Sequence, residues 1–407
     1  MHSTRSDRPP TSPDRDANEG TLRIGPLAIG GRAVLAALSG YSDAAMRRVA
    51  RGHGAPYCVH EVVLDRDVLA GGRLVRPVLD LDGADHPLGG QLMGSEPETF
   101  ARAARALVDA GYDVIDLNFG CPVPKVLGRC RGGYLLGTPA RALEVVERVL
   151  DAVAGDRPVT VKLRRGLDET LESEHAFFTI LDGAFARGVS AATVHPRTVR
   201  QRYVGASDWR FLRRVRDHVG THTLLGSGDL FAPHDILRML RETRVDGVTV
   251  ARGAIGNPWI FRQYAALAAG REPVAPTVAE QREVIACHVA ALLRLHGDRR
   301  GFQRARTQAV HYAAVHPEPV AVRDAFVAAR EPGDLERVLE VHYPASRAHE
   351  RSSGLAALGL SAQRVRESYG ADADEDDASS SCDPGASRTP RRQSRAPAAA
   401  TNPQQLP

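Results

Sequence analysis

A cysteine set between glycine and proline, Gly120-Cys121-Pro122, stands in a loop rather than inside a strand, where a thiol can take part in chemistry. Loop thiols beside cationic groups are the reactive kind. A second signal comes from lysine. The chain carries 53 Lys and Arg residues, yet lysine stands only at Lys125 and Lys162. An ammonium is compact and shifts its pKa readily, whereas a guanidinium is a rigid, permanently charged fork. Lysine kept against so strong an arginine bias marks positions that a guanidinium does not serve. Both lie in distinctive segments, Gly120-Cys121-Pro122-Val123-Pro124-Lys125 and Val159-Thr160-Val161-Lys162-Leu163-Arg164.

Further polar residues follow short apolar runs. Gln91, Asn118 and Lys162 would supply two amides and one ammonium. Such a set fits the polar edge of a flavin, which needs hydrogen bonds at its ring amide and carbonyls and a cation to stabilise the anionic reduced ring. Gly226, Gly228 and Gly253 lie in turns that let backbone approach a phosphate, and Arg252 adds charge. His195 reads either as a site residue or as a satisfied core histidine. Cys58, Cys287 and Cys382 read as packing or incidental. Cys130, in an Arg-rich loop, has no assigned role. No Ser/His/Asp order and no Cys/His metal spacing occurs, so no metal site is expected.

These residues need a scaffold. Apolar runs rich in Val, Ile and Leu occupy Val34–Leu38, Tyr57–Val62, Gly89–Met93, Val114–Leu117, Val159–Leu163, Ala191–Val194, Thr223–Leu225 and Gly247–Val250. They are short enough for buried parallel strands. Helical patterns fall between them, at Pro97–Ala110, Ala140–Val153, Ser173–Arg187, Trp209–Val219 and Pro233–Thr243. Ser95 and Thr138 stand where helix caps are expected, ahead of Pro97 and Pro139. Eight strands alternating with helices over residues 23–270 predict an α/β fold, a TIM (β/α)8 barrel. The competing doubly wound sheet, in its dinucleotide-binding form, calls for a GxGxxG turn after the first strand, and none is present. The chemistry-bearing residues fall where strands end, as a barrel active site requires.

Residues 277–344 read as a small helical domain, with helices at Val278–Leu295, Phe302–Ala314 and Asp334–Val341 and breaks at His296-Gly297 and around Pro317 and Pro319. Arg294, Arg299, Arg300, Arg304, Arg306 and His311 make it locally basic, as a nucleic-acid surface is. A solvated helix face is the alternative. The charged, polar stretch 345–407 is expected to be a disordered tail, and 1–22 a disordered leader. The leader lacks the apolar core of a signal peptide, and no stretch is long and apolar enough to span a membrane, so a cytoplasmic protein without membrane contact is expected. The net charge of +4 permits a nucleic-acid partner without demanding one.

The chain resembles the tRNA-dihydrouridine synthase family. The resemblance runs from about Val34 to Phe261 and continues more weakly to about Tyr343. It rests on Asp116-Leu117-Asn118-Phe119-Gly120-Cys121-Pro122 with Lys125 and Gly132-Gly133, on Pro158 to Arg164, on His195-Pro196-Arg197-Thr198 with Gln201 and Gly205, and on Gly253-Ala254-Ile255-Gly256-Asn257-Pro258-Trp259-Ile260-Phe261. It implies an FMN enzyme that reduces a tRNA uridine to 5,6-dihydrouridine, with NADPH as reductant. Hydride would pass from flavin N5 to uracil C6, and Cys121 would protonate C5. It further implies that Ala37, Leu38, Ser39, Gln91, Lys162, His195, Ser227, Gly228, Asp229, Ala251 and Arg252 hold the cofactor. Asn118, Lys125, Arg164, Arg197, Arg304 and Arg306 would meet the substrate, and the protein would act as a monomer on tRNA.

The chain departs from the family pattern at four places. Ala37 stands for the usual proline, Ser227 for asparagine, Ala251 for glycine and Pro196 for glycine. Two other functions fit parts of the pattern: an FMN barrel dehydrogenase of a free pyrimidine or enone, and a non-catalytic RNA-binding descendant. The first would not need the helical segment. The second would tolerate changes at Cys121 and Lys162, and both residues are intact.

Overall fold

A computed structural model describes residues 20–72, 76–79 and 81–352. Eleven strands occur among them: β1 (Leu22–Ile24), β2 (Leu27–Ile29), β3 (Ala33–Leu35), β4 (Cys58–Val59), β5 (Val63–Leu64), β6 (Leu88–Met93), β7 (Val114–Phe119), β8 (Val159–Arg164), β9 (Ala191–His195), β10 (Thr223–Ser227) and β11 (Gly247–Val250). Eight form a closed parallel ring in the order β4-β3-β11-β10-β9-β8-β7-β6, and β6 pairs back onto β4 through Cys58 and Leu88. This is the expected TIM barrel, and its ring contains all eight expected apolar runs. Each strand of β6, β7 and β9 is buried along its whole length, which is why these segments lack the polar alternation of a half-exposed sheet.

The five expected helices form at Pro97–Asp109, Pro139–Val153, Leu171–Ala186, Trp209–Val219 and Pro233–Thr243. Neither Ser95 nor Thr138 caps a helix through its side chain. Proline at the first helical position has no N–H to satisfy, so that cap has less to do. The true side-chain caps are Asp43, Thr170, Asp208 and Thr277. Phe100, Leu107, Val145, Val149, Phe177 and Ile180 fill the layer between ring and helices.

Two elements were not foreseen. The antiparallel hairpin β1–β2 plugs the N-terminal end of the ring, where Leu22, Ile24 and Ile29 pack on Val34, Val114, Ala191 and Leu225. A helix at Pro319–Ala328 lies where proline was read as a break. Pro319 is its first residue, so it starts the helix there.

Helices Val278–His296, Asp298–Tyr312, Pro319–Ala328 and Pro332–His342 build a second core around Ile285, Leu292, Ala309, Val322, Phe326 and Leu339. Trp259 of the barrel is fully buried in that core, edge-on to Tyr312. Residues 345–352, assigned to the tail from composition, fold back instead. Arg347 pairs with Glu318 and Glu350, and Arg351 bridges Thr277. The rest of the expected tail, 353–407, and leader residues 1–19 lie outside the described residues.

Candidate active site

The strands place the polar residues in stacked layers. Inward positions alternate along a strand, so Asp116 and Asn118 of β7 face the lumen with Thr160, Lys162 and Arg164 of β8. The register sets Gln91 beside Asp116, Asp116 beside Thr160, Asn118 beside Lys162, Lys162 beside Thr193 and Arg164 beside His195. A lumen cavity of about 20 Å³ touches Gln91, Asp116, Thr160, Lys162, Thr193 and Thr249.

Gln91 and Asn118 hold each other. Gln91 Nε2 donates to Asp116 Oδ2 at 2.6 Å, and Asn118 Nδ2 donates to Gln91 Oε1 at 2.7 Å. Asn118 Oδ1 then accepts from the backbone N–H of Gly120 and of Cys121, each at 3.0 Å. The cysteine loop is thus pinned to the barrel wall. Gly132 and Gly133 pack on its other side. A β-carbon on Gly132, whose φ is +56°, would stand 2.8 Å from Cys121 Cβ, and Gly133 N–H donates to Cys121 O at 3.0 Å. These contacts explain the glycine pair in the motif. Cys121 is half-buried, and burial pushes its thiol pKa up.

Lys162 carries its ammonium into the mouth with no side-chain hydrogen bond or ion pair among the described residues. Burial, then Arg164, pulls its pKa down to about 8, while Asp116 works the other way. His195 is 7% exposed. Burial, and then Arg164, Lys162, Arg197 and Arg252, hold it well below the usual histidine range, so it is neutral.

The arginines of the mouth serve different ends. Arg164 donates to three backbone carbonyls, of Gly120 (2.9 Å), Thr198 (2.9 Å) and Arg202 (2.7 Å), and lies over the Tyr203 ring. It ties three loop segments together. Arg197, 1% exposed, pairs with Asp229 at 2.7 Å. Asp229 also accepts from Ser207 N–H at 2.8 Å and lies 3.7 Å from Arg252. Its carboxylate therefore orients two cations. Pro196 follows the last residue of β9, so its missing N–H costs no ladder bond. Lys125 is exposed on the short helix Pro124–Leu127. Ala37, Leu38 and Ser39 follow β3 in a turn held by Ser42, which accepts from Leu38 N–H at 2.8 Å. Ser227 ends β10 buried, and Ala251 precedes the single turn Arg252–Ala254.

Arg304 and Arg306 are held within the protein. Arg304 pairs with Asp43 at 3.1 Å and reaches Glu61 at 3.6 Å, and His296 meets the same Asp43 carboxylate at 2.8 Å. Arg306 donates to Ala329 O and lies over Phe302. Of the six basic residues read between 294 and 311, Arg294, Arg299 and Arg300 are exposed. Sequence reasoning gave Asp116, Thr160 and Ser207 no role and missed the Asp43–His296 contact. Asp116 alone left a trace, as a carboxylate two residues before Asn118 and so on the same inward face.

Around the ends of β9, β10 and β11, buried polar atoms lack partners: His195 Nε2, Ser207 Oγ, Thr249 Oγ1 and two nitrogens of Arg197. Gly228, at φ +110°, borders two of these residues, Ser207 and His195. A β-carbon there would overlap Ser207 Oγ and stand 2.9 Å from His195 Nδ1. Buried donors without partners mark where a ligand's acceptors belong, and a glycine-lined cradle on the β10 and β11 loops is where barrels hold phosphate.

The dihydrouridine synthase family profile matches residues 34–347. The chain belongs to the dihydrouridine synthase family. A probable tRNA-dihydrouridine synthase of Mycobacterium tuberculosis (strain H37Rv) is 34% identical over 333 residues, covering 78% of this chain and 84% of that one. The tRNA-dihydrouridine synthase B of Xanthomonas axonopodis pv. citri is 32% identical over 325 residues, covering 79% and 95%. The span shared with the dihydrouridine synthases contains the helical segment as well as the barrel. A barrel dehydrogenase of free pyrimidines would have no need of that segment.

Proposed function

We propose that this protein is a tRNA-dihydrouridine synthase that reduces a uridine of tRNA to 5,6-dihydrouridine, using FMN and, as reductant, NADPH. The observation that carries the reading is the placement of Cys121. Asn118 pins the backbone N–H of Cys121 at the same barrel mouth that holds the isolated ammonium of Lys162 and the glycine cradle at Gly228.

The residues present fit FMN. Gly228, Ser207, His195 and Arg252 would take its phosphate and ribityl chain, and Lys162 with Gln91 its ring. When bound, the flavin supplies the hydride. The chain's own residues do the rest. Cys121 holds a proton: burial raises its pKa, so at neutral pH the thiol is protonated and can act as general acid toward a carbon of the base. Asn118 and the Gly132-Gly133 pair fix where that proton is delivered. Lys162 keeps positive charge where negative charge accumulates on reduction. Arg164 braces the loops that frame the entrance. A uridine in folded tRNA must leave its stack, which costs roughly a few kcal/mol. Contacts from Arg294, Arg299 and Arg300 to the RNA backbone offset that cost.

Cytoplasmic, monomeric action belongs to this reading. Among the described residues, no helix is long and apolar enough to cross a membrane, and no cluster of metal ligands occurs. The test is Cys121→Ala. It should keep bound flavin and its reduction by NADPH, and lose about 100-fold or more of uridine reduction, the scale of general-acid catalysis. Full activity in that variant would remove the assignment.

A further inference from the structure

Asp116 has no role in the reading above. It is a carboxylate 6% exposed, on an inward position of β7, and its Oδ1 accepts from Thr160 Oγ1 at 2.6 Å. Its Oδ2 starts a chain of hydrogen bonds that runs through Gln91 and Asn118 to the backbone of the cysteine loop. The two ends of this chain have fixed polarity. A carboxylate oxygen accepts from Gln91, and the N–H groups of Gly120 and Cys121 can only donate. Side-chain amides can otherwise be turned end for end with little change of shape. Here both are forced. Gln91 must give its nitrogen to Asp116 and its oxygen to Asn118. Asn118 must give its nitrogen to Gln91 and its oxygen to the loop. Turning either would set nitrogen against nitrogen and oxygen against oxygen.

We infer that Asp116 is a positioning residue, which through Gln91 and Asn118 fixes the direction of two amides and with them the seat of Cys121. The purpose of this device rests on the function proposed above; its geometry does not. One consequence concerns specificity. The Asn118 oxygen already accepts two N–H groups, so Asn118 has one N–H left to offer and no lone pair. A base edge that meets it must present an acceptor, such as a uracil carbonyl, and not an amine.

Two substitutions separate direction from charge. Asp116→Asn keeps a carbonyl oxygen for Gln91 and gives Thr160 Oγ1 an N–H to accept. The chain keeps its direction and loses its charge. Asp116→Leu removes the acceptor at similar size. The readout is the rate at which iodoacetamide alkylates Cys121, followed by peptide mass spectrometry at equal flavin occupancy. A loop released from its pin opens more often, so Asp116→Leu should alkylate about fivefold faster or more, and Asp116→Asn within about twofold of wild type. Uridine reduction should follow the same order, with kcat down about tenfold in the leucine variant and rescued in the asparagine variant. Wild-type alkylation in Asp116→Leu overturns the inference. So does an equal rise in both variants, which would place the role in the charge. Should Asp116→Leu not fold, Gln91→Leu cuts the chain one link nearer the cysteine and must show the same rise; unchanged alkylation there overturns the inference equally. A failure of the proposed function is visible separately, as wild-type protein that forms no dihydrouridine.

Discussion

Lys162 gives the site a pH dependence that can be worked out in advance. Its ammonium is withdrawn from water at the barrel mouth and has Arg164 as a like-charged neighbour. Together these bring its pKa down to about 8, against partial support from Asp116. A group with that pKa is about nine-tenths charged at pH 7 and about one-tenth charged at pH 9. If only the charged form holds the flavin ring, the apparent Kd scales inversely with the charged fraction. FMN affinity should then fall about tenfold between pH 7 and pH 9. Flavin fluorescence quenching, titrated from pH 6 to 10, measures this. His195 adds no limb in that window, because it is already neutral. Lys162→Met should bind FMN at least about tenfold more weakly at pH 7 and lose the limb. The stability of flavin-free protein should move the other way. The folded pKa is depressed below the ordinary lysine value, so between about pH 8 and 10.5 the unfolded chain binds more protons, and this group's contribution rises with pH. Affinity flat from pH 7 to 9, or the same limb in Lys162→Met, would refute the reasoning.

Further outcomes follow from close contacts and exposed charge. Gly228→Ala should purify with less than about a tenth of the wild-type flavin while remaining folded, since a β-carbon there displaces Ser207 Oγ and His195 at a left-handed φ; absorbance at visible wavelengths checks it. Gly256→Ala should loosen the seat of the helical segment, because a β-carbon would overlap the His311 carbonyl and stand 2.6 Å from Tyr312 N. Its tRNA KM should rise about tenfold with flavin reduction by NADPH unchanged, as loss of substrate contacts alone requires. The double variant Arg299→Glu with Arg300→Glu should weaken tRNA binding and flatten its salt dependence by about two phosphate contacts. These point changes are preferable to removing the helical segment, which would expose Trp259.

The barrel was legible because parallel strands buried on both faces are rich in Val, Ile and Leu, and the eight strands of the ring carry that signature. The hairpin β1–β2 was not, since two three-residue strands leave no periodicity to read. Pro319 misled because proline, which breaks a helix interior, is also favoured at a helix's first position, where it stands here. At the site, Cys121, Lys162 and Gly228 were readable from residue type and context. Arg304 and Arg306 were not: basic charge suggested RNA, and their partners Asp43 and Ala329 are set by tertiary packing. Arg164 and Asp229 were recognised as site residues, yet their work on backbone and on neighbouring arginines depends on loops meeting in space. Asp116 was seen inside a motif, but its link to Cys121 exists only once β6, β7 and β8 lie in register.

Position-resolved mapping of dihydrouridine in tRNA from cells lacking this protein tests the central claim most directly. The account predicts that at least one uridine position loses its reduction, and that the wild-type chain restores it while Cys121→Ala does not. An unchanged map, or restoration by Cys121→Ala, would contradict it.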